Sequence, residues 1–131
     1  MRKDGPAKII DDDPIFGQIW DLGGQEHFRI FQEPFFDSAQ VIILLFSVDY
    51  YPSFLNLMGW LSIIQNYEPF KIYLIANKID SENRAVSEEE GQEFAINNKM
   101  EYYEVSALRG KGFLNFKNDL IKTIKTIFSF E

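Results

Sequence analysis

Asp21, Gly23, Gly24 and Gln25 follow directly on a hydrophobic segment, residues 15–20, and carry the clearest capacity for phosphate chemistry in this sequence. A carboxylate at a strand end can hold a hydrated cation, and the N–H of Gly24 can reach an anionic oxygen with no Cβ in the way. Gln25 can orient a water molecule. A second group, Asn77-Lys78-Ile79-Asp80, follows another hydrophobic segment, residues 71–76. The Asp80 carboxylate can accept from both N1–H and the exocyclic amine of guanine, a donor pair that adenine does not present. The Lys78 stem can lie along a base, and Asn77 can tie neighbouring loops together. A third group, Ser106-Ala107, ends the segment 101–105, and the Ala107 N–H can donate to guanine O6. Each has a plainer reading. Asp21 alone is also a strand-end cap, Gln25 alone an exposed loop residue, and any one short motif arises by chance. Their order along the chain, each after its own hydrophobic segment, is the stronger signal.

The elements that must position these groups are readable from apolar spacing. Residues 7–10 suggest a short edge strand, and Asp11-Asp12-Asp13-Pro14 a turn into the strand 15–20. The three aspartates lack the alternation and the later Glu of a calcium loop. Residues 28–39, with Pro34, suggest a loop and a short irregular helix. The apolar, β-branched run 41–46 predicts a strand buried on both faces of a parallel sheet. Pro52 is placed to open a helix whose core face is Phe54, Leu57, Met58, Leu61 and Ile64, with Leu55, Trp60 and Ile63 beside it. Ser87 and Glu90 have the spacing of a capping box, so the acidic run 88–90 marks a helix start and not a metal site. Asn97-Asn98 ends that helix. Phe113, Phe116, Leu120, Ile124, Ile127 and Phe128 define a last amphipathic helix, with Lys117, Lys122 and Lys125 on its wet side. Strands alternating with helices predict a three-layer α/β domain with a mainly parallel sheet. In such sheets ligands bind at the carboxyl ends of strands, so the loops at Asp21, Asn77 and Ser106 are expected on one rim.

Composition narrows the functions. The 131 residues are 46% hydrophobic and 25% charged, a globular balance expected to form one domain, residues 1–131. A net charge of −7 argues against binding nucleic acid or an anionic membrane surface. With no cysteine there is no disulfide framework, no thiolate zinc site and no thiol catalysis. No cysteine is available for a prenyl or palmitoyl anchor. With no apolar run of membrane-spanning length either, a cytoplasmic protein is expected. His27, the single histidine, has no triad context and reads as an exposed loop residue.

From residue 15 onward the sequence resembles the Ras superfamily of small GTPases, nearest to Rab and Ras members. Trp20-Asp21 to Arg29 matches that family's W-D-x-x-G-Q-E-x-F-R, Asn77 to Asp80 its N-K-x-D, and Ser106-Ala107 its S-A box. Gly23 is similar to the Arf branch, whereas Phe28-Arg29 and Ser53-Phe54 are more Rab-like. Leu108 stands where many members have Lys. The resemblance implies a P-loop NTPase-like G domain that switches between GTP and GDP with Mg²⁺. By it, Asp21 reaches Mg²⁺ through water, Gly24 N–H meets the γ-phosphate, and Gln25 orients the hydrolytic water. Asn77, Lys78, Asp80, Ser106 and Ala107 hold the guanine. Phe28, Phe31, Phe35 and Phe36 are read as core or as part of the switch II face offered to protein effectors and regulators.

No G-x-x-x-x-G-K-[ST] occurs in the 131 residues, and no Thr precedes Asp21. By the resemblance, the first strand, P-loop, first helix and most of switch I are therefore expected to be missing, leaving an N-terminally incomplete domain. The family's first strand is central, so strands 15–20 and 41–46 are expected either to pair directly or to have another segment between them. Hydrolysis by this chain alone is then doubtful. The alternative expectation is a pseudo-GTPase, an interaction module that keeps the fold without binding nucleotide.

Overall fold

A computed structural model of the chain describes residues 2–4, 8–10, 13–15, 18–20 and 40–129. The chain divides into two units, Met1–Ser38 and Ala39–Glu131. In the first, β1 (Arg2–Asp4) pairs antiparallel with β4 (Gln18–Trp20), and β2 (Lys8–Ile10) with β3 (Asp13–Ile15). Three residues separate the two ladders along the first arm and two along the second. The register therefore differs by one between the two ladders. The expected turn is narrower than the sequence suggested. Asp13 and Pro14 belong to β3, opposite Ile10 and Ile9, and Asp11 and Asp12 lie outside the described residues. Proline is tolerated there because in a two-stranded ladder alternate N–H groups point away from the partner. β1 was not expected, since two cations and an acid carry no strand signal and only its pairing defines it.

The second unit holds a parallel sheet of β5 (Val41–Ser47), β6 (Lys71–Asn77) and β7 (Glu101–Glu104), in that order. Its register runs from Val41↔Lys71 to Ser47↔Asn77 and from Tyr73↔Glu101 to Ala76↔Glu104. Four helices accompany it among the described residues: α1 (Tyr51–Leu55), α2 (Leu57–Ile64), α3 (Glu88–Asn97) and α4 (Phe113–Ser129). On one face Phe54 of α1 packs between Phe46 of β5 and Phe94 of α3, with ring centroids 5.0 and 5.1 Å apart. On the other face α4 covers Tyr73, Ile75 and Val105 with Phe116 and Leu120. The Tyr73 ring meets Phe116 edge-on at 5.2 Å, and its hydroxyl lies 2.7 Å from Thr123 Oγ1 and donates to Asp119 Oδ1 at 3.3 Å. Tyr103 donates to the other Asp119 oxygen. The result is the expected three-layer α/β arrangement with a parallel sheet.

The helix signals hold in outline. Pro52 sits in the first turn of α1, and Ser87 caps α3 by accepting the Glu90 N–H at 3.0 Å. Glu90 does not reach back to its own cap; its carboxylate accepts from the Tyr51 hydroxyl at 3.0 Å, tying α3 to α1. Two expectations are corrected. Trp60 is core and Met58 is 61% exposed, because the buried face of α1 and α2 runs Phe54, Leu57, Trp60, Leu61, Ile64, and Met58 is rotated about 100° from Leu57. β5 is buried on one face only: Ile42, Leu44 and Phe46 are inside, whereas Ile43 is 41% and Leu45 59% exposed. α4 lies over β6 and β7 and leaves those two side chains uncovered. Among the described residues no helix is long and apolar enough to cross a membrane.

Candidate functional site

Asn77 closes β6, and its carbonyl oxygen accepts the Val48 N–H at 3.0 Å, which fixes it against the end of β5. The chain then leaves the sheet through Lys78, whose φ of 66° lies in the left-handed region that non-glycine residues rarely enter. Such a conformation costs on the order of 1 kcal/mol and persists only where its surroundings hold it. Two bonds do so. The Ser81 N–H donates to the Lys78 carbonyl at 2.9 Å, and the Ile79 N–H donates across to Val105 O at 3.3 Å.

The neighbouring loop is equally constrained. Val105 N–H donates to Ala76 O at 2.8 Å, extending the ladder to the start of the turn. Ser106 is fully buried; its N–H donates to Lys111 O at 2.9 Å and its carbonyl accepts the Gly110 N–H at 2.7 Å. Gly112, at φ 83°, closes this turn where a Cβ would overlap the carbonyl oxygen of Glu104. Only glycine gives both the conformation and the close approach.

The two loops meet through side chains. The Ser106 hydroxyl donates to Asp80 Oδ1 at 2.6 Å and accepts the Arg109 N–H at 3.1 Å. The Ala107 N–H donates to Asn77 Oδ1 at 3.0 Å. Asn77, Asp80, Ser106 and Ala107 therefore gather at the carboxyl ends of β6 and β7, with the exposed Lys78 beside them. The Ser106 bond, helped by the charges of Arg109 and Lys78, outweighs desolvation and holds the Asp80 carboxyl below its usual range. Asp80 is thus an anion at neutral pH, ready to accept from two donors on one edge of a base. The Ala107 N–H, expected to face a base oxygen, is occupied by Asn77.

Asp21, Gly24 and Gln25, together with His27 and the phenylalanines 28, 31, 35 and 36, lie outside the described residues. Among the described residues no three His, Cys, Asp or Glu side chains gather as metal ligands. At the carboxyl ends of β6 and β7 a fixed carboxylate, Asp80, and the exposed Lys78 stand side by side.

The sequence reading passed over Arg84, Tyr102 and Glu104. Arg84 holds Glu104 with both terminal guanidinium nitrogens, Nη1 at 3.1 Å from Oε1 and Nη2 on Oε2, while its Nε donates to Val86 O at 2.6 Å. Tyr102 donates to Glu104 Oε2 at 2.6 Å. The available signal was a carboxylate at the end of an aromatic strand, two residues before Ser106, with a lone arginine four residues past Asp80. A cavity of about 990 Å³ opens instead at the amino-terminal ends of β6 and β7, lined by Leu61, Phe70, Ile96 and Met100 among others. It contains none of the converging groups, and volume alone does not make it the site.

A sequence model of the Ras family matches residues 7–126. The chain is 42% identical to Ras-related protein Rab-27A of Rattus norvegicus over 114 residues, covering 83% of this chain and 52% of that protein. It is 37% identical to Ras-related protein Rab-9A of Homo sapiens over 105 residues, 75% of this chain and 52% of that one. Ras-related protein SEC4 of Candida albicans (strain WO-1) matches at 38% over 93 residues, 69% and 44%. The chain spans about half the length of the curated relatives it matches. The extent of these matches agrees with the parallel sheet and with the two loops at its carboxyl rim, and the chain belongs to the Ras family.

Proposed function

We propose that this chain is a guanine-nucleotide switch protein of the small GTPase kind, reading guanine through the loops that end β6 and β7. Asp80 accepts from N1–H and the exocyclic amine, Ala107 N–H turns to O6, and Lys78 lies along the base. Ser106 holds the two loops together through Asp80. The supporting observation is the ionised Asp80, fixed by Ser106 at 2.6 Å. GTP or GDP with Mg²⁺ is the proposed ligand set, with Asp21 toward the metal, Gly24 toward the γ-phosphate and Gln25 toward the hydrolytic water. Protein effectors or regulators would meet the switch II face around Phe28 and Phe31.

Calorimetric titration of the purified chain with GDP and with ADP, each with Mg²⁺, tests the reading. GDP should bind more tightly than ADP, and Asp80→Ala should remove that preference while the fold persists by circular dichroism. Equal binding of the two nucleotides, or a preference untouched by Asp80→Ala, would sink it. A second reading, an interaction module that binds no nucleotide, is favoured by one observation: the Ala107 N–H already donates to Asn77 Oδ1. Under that reading neither nucleotide binds at micromolar concentration.

A further inference from the structure

The two base-facing loops come from different strands, and what sets the distance between them is not in the loops alone. Asp80 hangs from the segment that follows β6; Ala107 hangs from the end of β7. Four residues beyond Asp80, Arg84 folds back over Glu104, the residue that ends β7. The contact is a two-nitrogen fork onto one carboxylate, the arrangement that fixes both distance and orientation. Glu104 is only 16% exposed in its side chain, and its second oxygen also takes the Tyr102 hydroxyl at 2.6 Å, so the carboxylate has no freedom to swing. Arg84 is held from its other side by Nε on Val86 O at 2.6 Å. Its neighbours Ala85 and Val86 donate their N–H groups to Val48 O at 2.6 and 3.0 Å, and Val86 is fully buried. The far end of the Asp80 segment is thereby pinned at once to Val48, just past β5, and to the end of β7.

We propose that Arg84 and Glu104 are positioning residues for guanine recognition, fixing the spacing between the Asp80 loop and the Ser106–Ala107 loop. The inference rests on the guanine reading above, which assigns those loops to one base. Neither residue touches the base. Glu104 acts through Val105 and Ser106, which continue from it in the chain, and through Gly112, whose backbone lies against the Glu104 carbonyl. Arg84 acts through the short segment back to Asp80. Loss of the fork frees the two loops to separate, and the cross-loop bonds Ala107 N–H to Asn77 Oδ1 and Ile79 N–H to Val105 O loosen first.

Amide hydrogen exchange on the isotope-labelled full chain tests this in wild type and Glu104→Gln. Glu104→Gln keeps the side-chain shape and removes the charge. It should speed exchange at Ala107 and Ile79 by about tenfold, with the Leu74 amide in the β5–β6–β7 sheet unchanged. GDP and ADP titrations run beside it, and the loss in Glu104→Gln should fall on GDP and not on ADP. Exchange at Ala107 and Ile79 within about twofold of wild type, or rising only in step with Leu74, overturns the positioning role. Should wild type itself show no preference for GDP, the guanine reading falls, while the exchange comparison still decides whether the pair sets the loop spacing.

Discussion

β5 and β6 read almost alike as sequence, VIILLFS against KIYLIAN, yet the structure treats them differently. β6 is paired on both edges and covered on both faces, with Tyr73, Leu74, Ile75 and Ala76 at most 3% exposed. β5 is an edge of its sheet and leaves Ile43 and Leu45 open on the face away from α1. A run of apolar β-branched residues therefore specifies a strand but not how many of its sides are covered. Of the two loops with the polar groups, Asn77–Asp80 leaves the strand that is held on every side, and Ser106–Ala107 leaves its neighbour β7. That is a physical requirement, because a bond as short as Ser106 to Asp80 needs both loops anchored on elements that do not shift. The largest expected effect tests the contrast directly. Leu74→Ala should cost about 2–5 kcal/mol, and Leu45→Ala, on the open face, less than about 0.5 kcal/mol. Urea unfolding of the two variants measures this. Equal costs would mean that Leu45 is covered in solution.

The same contrast can be sharpened at the rim by two glycines, both at positive φ. Gly110, at 74°, has open space where a Cβ would stand; Gly112, at 83°, has the Glu104 carbonyl there. Gly110→Ala should cost about 1 kcal/mol from backbone conformation alone. Gly112→Ala adds a collision with backbone that cannot move without disturbing the end of β7, so the total should reach roughly 2–3 kcal/mol. Thermal unfolding gives the order, and amide spectra should show Ala107 disturbed in the Gly112 variant only. A larger loss for Gly110→Ala would break the argument that the rim is held by close packing against β7.

How much of this was legible depended on how local the cause was. The Ser87 cap, the Pro52 helix start and the three strands of the parallel sheet are set by neighbouring residues, and each was readable from spacing. That Asn77, Asp80, Ser106 and Ala107 lie together was legible because their two motifs follow two neighbouring strands, and strand ends meet at a rim. What failed was non-local. Met58 and Trp60 were assigned to the wrong sides because α1 and α2 turn as one apolar stripe through Asn56, and the stripe's width alone does not fix its centre. The open face of β5 depends on where α4 lands. The Arg84–Glu104 fork joins residues 20 apart that show no shared motif. The occupation of Ala107 N–H by Asn77 is likewise a tertiary fact.

The smallest expected effect separates the anchored interior from the wet rim through their carboxylates. Burial alone would push Glu104 upward. The Arg84 guanidinium, the Tyr102 hydroxyl and the nearby charge of Lys111 outweigh it and hold this carboxyl below its usual value. A depressed carboxylate stabilises the fold fully above its unfolded value, about 4.3, and loses that contribution as pH falls through the folded value. Wild type should therefore keep a constant stability advantage over Glu104→Gln from neutral pH down to about 5. The two should converge in more acid solution, as protonation removes the charge that the substitution removed. Arg84 stays charged throughout, so the loss belongs to Glu104. Asp80 is also depressed, by Ser106 first, but it sits at the open rim where water screens its interactions. Asp80→Asn should change the acid limb less than Glu104→Gln does. Unfolding midpoints of the three proteins across pH 3 to 7 decide it. A larger acid effect for Asp80 would place the rim, and not the fork behind it, as the stiffer of the two.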